Sequence, residues 1–290
     1  MKIIKKIIND KNKILIYENN NKKYVDKIFN NKNLIFFKKE ILGIKYFKKK
    51  KYFDIPKVYS YTVKNNIGKI TSEYIEGKKT HIKNLNKIYK SGPFINKKIG
   101  LNKYLNNLIK VYKIKKNQFY SKNFINTHLL KKKIYVSNTH GDFVHYNCLE
   151  KDKKFYIFDF EKFRERIVVF DYFNWILHPL SFKISRYFFP YNKNLIIKIY
   201  KNIILFFLNM LAKYLIKKIF FKLKINFKDF NLYYFLFLYE KILIIQEDLS
   251  YVKNKKVKST AFKHIKFLEY ICHNLSRTIN KNHNKKYHDF

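Results

Sequence analysis

Strand-forming residues and turn signals dominate the first 76 residues, and they predict a sheet interrupted by one helix. Strands separated by turn-forming residues are predicted at Ile3–Ile8, Lys13–Glu18, Lys23–Phe29, Lys57–Val63 and Lys69–Ile75. Between the third and fourth strands, apolar residues recur at helical spacing, at Leu34, Phe37, Ile41, Ile44 and Phe47. Pro56 ends that segment. The predicted order is therefore three strands, one helix and two strands.

After Gly77 the pattern becomes mainly helical. Helices are predicted at Leu101–Ile114, Leu195–Lys217, Phe230–Leu249 and Ala261–Ile279. A short extended interruption runs from about Asn138 to Phe160. The pattern therefore predicts an α+β fold class with two lobes. The first, residues 1–76, has an antiparallel sheet and one helix, and the second, residues 77–290, is larger and mainly helical.

The charge of the chain is extreme, with a formal net value of +43 over 290 residues. Such a field concentrates anions such as nucleotides, and it is also typical of proteins that bind nucleic acid or anionic membranes. Nearly all the basic residues are lysines, however, and the arginines are Arg164, Arg166, Arg186 and Arg277. A surface selected for phosphate contacts would favour arginine. Because Lys, Asn, Ile, Phe and Tyr share A- and T-rich codons, we attribute the charge mainly to genome composition.

Other bulk properties exclude several classes of protein. Hydrophobic residues make up 47% of the chain, which argues against disorder as its overall state. The two cysteines, Cys148 and Cys272, form neither a disulfide framework nor a tetrahedral metal site. The amino terminus lacks the features of a signal peptide, and lysines interrupt the most apolar region, residues 194–225. These features predict a cytoplasmic protein without a transmembrane segment.

One segment carries candidate chemistry. Residues 138–147 read Asn-Thr-His-Gly-Asp-Phe-Val-His-Tyr-Asn, and residues 156–161 read Tyr-Ile-Phe-Asp-Phe-Glu. Phosphoryl transfer to an alcohol needs a carboxylate that orients the hydroxyl group and hard oxygen ligands that hold magnesium. Asp142, Asn147 and Asp159 supply these groups, and two short predicted strands would bring Asn147 and Asp159 to the same side. A turn stabilised by Asp and Asn is the structural alternative.

The pattern His-Gly-Asp-x4-Asn followed by Asp-Phe-Glu resembles the aminoglycoside phosphotransferase and choline kinase family, relatives of the protein kinases. The resemblance covers about residues 23–180. It implies a two-lobed protein-kinase-like fold that uses ATP and Mg²⁺. On this resemblance, Asp142 matches the catalytic base, and Asn147 and Asp159 match the magnesium ligands.

The resemblance also implies supporting residues. His140 matches a histidine that holds the catalytic loop, Glu161 occupies a position that is usually acidic, and Asp171 matches a buried aspartate that braces the loop from the next helix. Upstream, Lys27 lies where a strand lysine contacts nucleotide phosphates, and Glu40 fits the glutamate that pairs with it. In a lysine-rich chain, both residues could instead be ordinary surface groups.

The hinge between the lobes is expected at Glu73, Tyr74 and Ile75, where backbone groups would meet the adenine. The chain departs from the protein kinases in one respect. It has no Gly-x-Gly-x-x-Gly loop, and Gly43 is its first glycine. The choice of nucleotide is therefore left open.

The predicted function is an ATP-dependent phosphotransferase, a kinase that acts on a hydroxyl group of a small molecule. A sugar is the first expectation for the acceptor by family analogy, and an amino alcohol is the second. Two alternatives stay open. One is a basic module that binds nucleic acid or an anionic surface, although lysines spread along the whole chain disfavour it and no specific nucleic acid is expected as partner. The other is a kinase-like scaffold without activity.

Overall fold

A computed structural model describes residues 1–9, 11–50, 53–80, 97–114, 127–188 and 195–285. The chain divides into two compact units. The first unit comprises Met1–Gly92 and Asn138–Glu165, and the second comprises Pro93–Ser137 and Arg166–Phe290. This division by contacts assigns the motif-bearing segment to the same unit as the N-terminal strands. The boundary predicted after residue 76 instead divides the chain into two consecutive segments, and it stays a prediction.

The first unit contains a five-stranded antiparallel sheet and one long helix. The strands are β1 Lys2–Ile8, β2 Asn12–Asn19, β3 Lys22–Phe29, β4 Val58–Lys64 and β5 Ile67–Glu73, and the helix is α1 Leu34–Lys50. Their order in the sheet is β1-β2-β3-β5-β4. The predicted succession of three strands, a helix and two strands is therefore confirmed.

Asparagine pairs form two of the hairpin turns of this sheet. Asn20 and Asn21 have φ angles of 48° and 57°, and Asn65 and Asn66 have φ angles of 51° and 60°. Two successive residues with positive φ define the tight turn that matches the twist of paired strands, and asparagine tolerates that conformation well. The local sequence therefore sets the register of β2 on β3 and of β4 on β5.

A smaller sheet of the first unit carries the motif. Its strands are β6 Lys78–Lys79, β9 Cys148–Lys151 and β10 Lys154–Ile157, in the order β10-β9-β6. The turn between β9 and β10 is again tight, with Asp152 and Lys153 at φ angles of 49° and 62°. The two short strands expected between the candidate metal ligands are present.

The second unit is mainly helical. Its elements are β7 Lys97–Gly100, α2 Leu101–Tyr112, α3 Phe170–Phe188, α4 Leu195–Lys222, α5 Phe230–Leu249 and α6 Lys255–Lys285. Two further strands are β8 Lys133–Thr139 and β11 Arg164–Ile167, and they form a sheet with β7 in the order β11-β8-β7. The boundaries between the two units fall within β8 and β11. The four helices predicted from periodicity are confirmed as α2, α4, α5 and α6.

Helix α3 was not predicted from periodicity. Its residues Tyr172–Leu177 are all buried, so no apolar stripe distinguishes one face of the helix from another. Only the resemblance implied a helix at Asp171. In the described part of the chain, no helix has both the length and the apolar character needed to cross a bilayer.

Aromatic packing and one ion pair organise the core of the second unit. The Phe173 ring stacks on Tyr234 and Phe237, with centroid distances of 5.3 and 5.2 Å. The arginine cluster, defined as Arg166, Glu240, Tyr104 and Tyr112, lies nearby in the same unit. Arg166 Nε lies 2.9 Å from Glu240 Oε1, and the side chains are 1% and 0% exposed. Both tyrosine hydroxyls donate hydrogen bonds to the Glu240 carboxylate.

Candidate active site

Lys27 of β3 lies at the centre of three carboxylates in the first unit. Its Nζ atom is 3.1 Å from Glu40 Oε2, 2.6 Å from Asp159 Oδ1 and 2.9 Å from Glu161 Oε1. We refer to these four residues as the lysine cluster. The side chains of Lys27, Glu40 and Glu161 are 13%, 7% and 10% exposed, whereas that of Asp159 is 39% exposed. The structure therefore brings four predicted site residues together and leaves one of them open to solvent.

The electrostatics of this cluster follow from burial and from an excess of acid. Burial by itself lowers the pKa of the Lys27 ammonium group, but the three carboxylates outweigh that effect and hold this pKa well above the ordinary lysine value. Burial raises the pKa of Glu40 to about 7, and the other two carboxylates reinforce the shift while Lys27 opposes it. A single ammonium group thus faces three acids, and the cluster can attract further positive charge.

A close approach at Gly43 holds the Asp159–Glu161 segment against α1. A Cβ atom added at Gly43 would lie 2.5 Å from Phe160 Cβ, so a larger residue would force one of the two elements to move. The Phe160 ring also packs against Phe47, one helical turn further along α1, with a centroid distance of 5.3 Å. Because Phe160 lies between Asp159 and Glu161 in sequence, its packing sets the position of both acids relative to Lys27.

The backbone at Asp159 adopts an uncommon conformation. Its φ angle is 72°, in the left-handed region that is uncommon for residues other than glycine, although asparagine and aspartate adopt it more often than most. Conformations of this kind persist where surrounding contacts enforce them, and they concentrate at functional sites. Here the ion pair with Lys27 and the packing of Phe160 supply such contacts.

Asp142, Asn147 and His140 form a second group of contacts. Asn147 Nδ2 donates to the backbone oxygen of Asp142 at 2.9 Å and to its Oδ2 atom at 3.3 Å. The Asp142 N–H donates to His140 Nδ1 at 3.3 Å. Gly141, with a φ angle of 84°, provides the bend between His140 and Asp142.

Phe158 joins this group to the lysine cluster. The Phe158 N–H donates to the backbone oxygen of Asn147 at 3.2 Å. His140 Nε2 lies 3.0 Å from the Phe158 carbonyl, so the ring donates there and accepts from Asp142 through Nδ1. This pattern fixes one neutral tautomer of His140. It also ties the loop that carries Asp142 to the residue immediately before Asp159.

The predicted hinge residues follow β5. The Tyr74 N–H donates to the backbone oxygen of Lys23 at 3.2 Å, and the Glu73 N–H donates to that of Lys57 at 2.8 Å. Ile75 is buried, at 6% exposure. Their contact with adenine stays a prediction.

Asp171 lies in the first turn of α3, in the second unit. It is half-buried, so the burial expected from the resemblance is corrected. The polar start of a helix, where backbone N–H groups lack intrahelical partners, favours a partly solvated acid. The bracing role stays a prediction.

Asn12, at the start of β2, is a further site residue that no sequence motif predicts. Its Nδ2 atom donates to Glu161 Oε1, and its own position is set by Asn9, whose Oδ1 atom accepts from the Asn12 N–H at 2.7 Å. The β1–β2 turn, which contains no glycine, is therefore anchored to the lysine cluster. Asn12 is 7% exposed, and a buried asparagine needs hydrogen-bond partners. Its burial points to a role in the site, but burial is known only from the structure.

Two sets of oxygen atoms could hold a cation. Carboxylate oxygens of Glu40, Asp159 and Glu161 lie within 4.8 Å of one another. The Lys27 ammonium group contacts all three and already supplies a cation there. The second set is the amide oxygen of Asn147 and the carboxylate of Asp159, which are ligand types that suit magnesium, and their joint role stays a prediction.

The antiparallel sheet with one helix, followed by a mainly helical region, defines the protein-kinase-like fold. Comparison with solved structures confirms this class of fold, and the similar structures include an aminoglycoside phosphotransferase, an amicoumacin kinase and a choline/ethanolamine kinase family protein. The fold class predicted from the sequence and the likeness to aminoglycoside phosphotransferases and choline kinases are therefore confirmed.

Three of the similar structures illustrate the match. A thermostable mutant of aminoglycoside phosphotransferase APH(4)-Ia matches over 95% of this chain and 95% of its own, with 10% identity and a TM-score of 0.55. Amicoumacin kinase hAmiN, in complex with AMP-PNP, Ca²⁺ and Ami, matches over 93% and 88%, with 12% identity and a TM-score of 0.54. A choline/ethanolamine kinase family protein from Mesorhizobium loti matches over 96% and 93%, with 12% identity and a TM-score of 0.52. No family model and no curated protein sequence matches the chain.

Proposed function

We propose that this protein transfers the terminal phosphoryl group of ATP to a hydroxyl group of a small molecule. The observation that carries the proposal is the pair of linked contact groups in the first unit. Lys27 meets Glu40 and two acids of the motif, and Phe158 connects them to Asp142 and Asn147. A buried ion pair needs only one acid, so the surplus carboxylates favour a site over a structural contact.

In this proposal Asp142 is the catalytic base. Its carboxylate orients the acceptor hydroxyl and takes its proton as the new oxygen–phosphorus bond forms. The bond between the terminal phosphorus and the bridging oxygen of ATP breaks, and ADP leaves with that electron pair. Asn147 supports this role because its Nδ2 atom holds both the backbone and the side chain of Asp142. Catalysis is then mainly positioning and charge neutralisation.

Nucleotide and magnesium are assigned to the surrounding residues. Lys27, oriented by Glu40, steadies the phosphates, and the backbone at residues 73–75 receives the adenine. Asn147 and Asp159 hold Mg²⁺, which neutralises charge on the phosphates when bound. The 39% exposure of Asp159 supports this assignment, because a metal that also binds phosphate oxygens needs an accessible ligand.

The acceptor is proposed to be a sugar or an amino alcohol. Similar structures include enzymes that are named for aminoglycosides, for amicoumacin and for choline or ethanolamine. All of these acceptor classes offer a hydroxyl group, which the proposed base can deprotonate.

Asp142→Asn tests the base directly. We expect it to lower phosphoryl transfer by about 10²- to 10⁴-fold, the usual contribution of a general base, while ATP binding is retained. The measurement is transfer of label from γ-labelled ATP to a panel of sugars, amino alcohols and aminoglycosides, with nucleotide binding followed by calorimetry. Asp152→Asn is the control, because Asp152 lies exposed in the β9–β10 turn and asparagine suits its positive φ angle.

Three outcomes would contradict the proposal. Undiminished transfer in Asp142→Asn would remove the assigned base. No binding of ATP with Mg²⁺ would favour the inactive scaffold. Retention of RNA with a steep salt dependence, without any transfer, would favour the basic binding module.

A further inference from the structure

A cavity of about 560 Å³ lies in the first unit beside α1. Its volume falls within the range of about 300–1,000 Å³ that is common for small-molecule sites. Ile41 and Ile44 of α1 line one side, and Tyr59 and Tyr61 of β4 line another. The two tyrosines are 47% and 52% exposed, so β4 presents aromatic surface that the described residues leave uncovered.

This cavity faces a different side of α1 from the lysine cluster. Glu40, Gly43 and Phe47 occupy the side that contacts Lys27 and Phe160. At 3.6 residues per turn, the stripe formed by residues 41, 44, 45 and 48 is rotated by roughly 100° about the helix axis. The cavity is therefore separate from the lysine cluster, although both use the same helix.

The charge of the cavity wall is positive. Three lysines line it: Lys45, Lys48 and Lys57. Asp54 is the acidic residue among the described residues that line the cavity. Three lysines and one aspartate give the wall a net charge of +2. In the described ranges none of the three ammonium groups forms an ion pair, and two of them lie over tyrosine rings, 5.2 and 5.4 Å from the ring centroids.

We propose that this cavity binds a small organic acid that has an aromatic body and one carboxylate. The isoleucine and tyrosine side chains would bury the aromatic body, and the unpaired ammonium groups would bind the carboxylate. Aromatic walls with a few convergent charged groups are the usual composition of a ligand site. The occupant we infer differs from both ATP and the phosphate acceptor.

Besides the hydrogen bond from the Glu73 N–H to the backbone oxygen of Lys57, which lines the cavity, two contacts connect the cavity to the proposed active site. The first is α1 itself, because Ile44 lies one helical turn from Glu40. The second is Phe53, which lines the cavity and packs against Phe143, the neighbour of Asp142, with a centroid distance of 5.4 Å. An aromatic acid in the cavity therefore contacts residues that support both the lysine cluster and the catalytic loop.

The loop that follows Phe53 adds a backbone connection. The Asp54 N–H donates to the Phe155 carbonyl at 3.0 Å, and the Asp54 carbonyl accepts from the Ile157 N–H at 3.0 Å. Strand β10, which ends at Ile157, leads directly to Asp159. We therefore expect occupancy of the cavity to change ATP affinity by about fivefold or more, the lower end of typical coupling between sites. This second part rests on the proposed function.

Binding is tested first, independently of activity. Saturation-transfer NMR with 3-phenylpropionate should show binding with a dissociation constant below about 1 mM. The uncharged 3-phenylpropanamide has the same body without the charge, and it should bind about threefold more weakly or worse. Equal affinity for the two compounds, or no binding of either, would overturn the proposal.

Variants then locate the bound acid. Ile44→Trp fills the cavity from α1 and should abolish the NMR signal, and Lys48→Gln should weaken binding without altering the shape of the wall. Lys49→Gln is the matched control, because Lys49 is exposed on the same helix and does not line the cavity. Binding that survives both cavity variants, or that falls equally in the control, would overturn the assignment.

ATP titration separates this inference from the proposed function. Calorimetry with saturating 3-phenylpropionate should shift the ATP dissociation constant about fivefold or more in wild type and leave it unchanged in Ile44→Trp. If ATP displaces the acid one for one, the cavity is not a separate site. If ATP fails to bind under any condition, the proposed function is wrong. The NMR experiment still shows whether the cavity binds an aromatic acid.

Discussion

The arginine cluster of the second unit and the lysine cluster of the first unit are both buried groups of charges, and they differ in balance and exposure. In the arginine cluster of the second unit, one guanidinium group meets one carboxylate, both side chains are at most 1% exposed, and two tyrosine hydroxyls fill the remaining acceptor positions. In the lysine cluster of the first unit, one ammonium group meets three carboxylates, and one of these is 39% exposed. The first arrangement pairs one cation with one anion, whereas the second has more acids than cations.

This difference shows how a structural ion pair can be distinguished from a site. A buried charge is tolerated when an opposite charge and hydrogen bonds offset its loss of water, and Arg166 and two tyrosine hydroxyls surround Glu240 in this way. Surplus acids that repel one another cost stability, and they persist where a ligand or cation compensates for them. Burial is the main cause of the raised pKa of Glu40, and the two neighbouring acids reinforce it.

The largest expected effect is on the balanced cluster. Arg166→Met should destabilise the protein by about 3–5 kcal/mol, because Glu240 is left buried without its cation. Lys27→Met should cost less stability, because Glu40 can take up a proton and Asp159 is partly solvated. Chemical denaturation of both variants measures the contrast.

A double variant sharpens this result. Arg166→Met combined with Glu240→Leu should recover most of the lost stability, since both charges are then absent. Lys23→Met serves as the surface control. Its partner Glu76 is 73% exposed, so a change of at most about 0.5 kcal/mol is expected. If Lys27→Met lowers the free energy of unfolding as much as Arg166→Met does, the proposed difference between the two clusters is wrong.

Gly43→Ala should have the next largest effect, and it acts on the geometry of the lysine cluster. The added methyl group overlaps Phe160, so we expect a loss of about 1–3 kcal/mol in the free energy of unfolding. Displacement of the neighbouring acids should also lower phosphoryl transfer by up to about 100-fold. Urea unfolding and the labelled-ATP assay measure the two effects.

Gly100→Ala is the control for this substitution. A Cβ atom at Gly100 meets no atom within 4 Å, and its φ angle of −64° suits alanine. Stability should therefore change by no more than the loss of a glycine helix cap, a few tenths to about 1 kcal/mol. Equal effects at positions 43 and 100 would show that the contact with Phe160 does not position the acids.

The smallest expected effect, compared for a single pH unit, is a dependence of stability on pH that Glu40 imposes. Its pKa in the folded protein, about 7, lies above the ordinary value of 4.5, so the folded state holds this proton more tightly than the unfolded state does. Stability should therefore fall as pH rises between about 4.5 and 7, by at most about 1.4 kcal/mol per pH unit. Glu40→Gln should remove this contribution.

Urea unfolding at a series of pH values checks the slope. The exposed Glu76→Gln variant should keep the slope of wild type, since its carboxylate has a solvated environment. An unchanged slope in Glu40→Gln would mean that another group, or no group, is responsible for the decline.

Much of the site was predictable because its signals are local. The spacing of Asp142, Asn147 and Asp159 marked the motif, and the strand and helix patterns placed Lys27 and Glu40 on adjacent elements. Asn12 and Gly43 were not predictable in this way. A turn asparagine and a helix glycine have common structural explanations, and only their contacts with Glu161 and Phe160 reveal their role.

By itself, the sequence determined the order of the first five strands and their helix, four helices of the second unit, and the chemical groups available for catalysis. Alternation, helical spacing and motif spacing are properties of neighbouring residues. Only the tertiary structure decided which acids surround Lys27, which pair in the second unit is balanced, and where a cavity borders α1. Burial, charge balance and close approach depend on residues far apart in the chain: Asn12 and Glu161, which form a hydrogen bond, are separated by 149 positions.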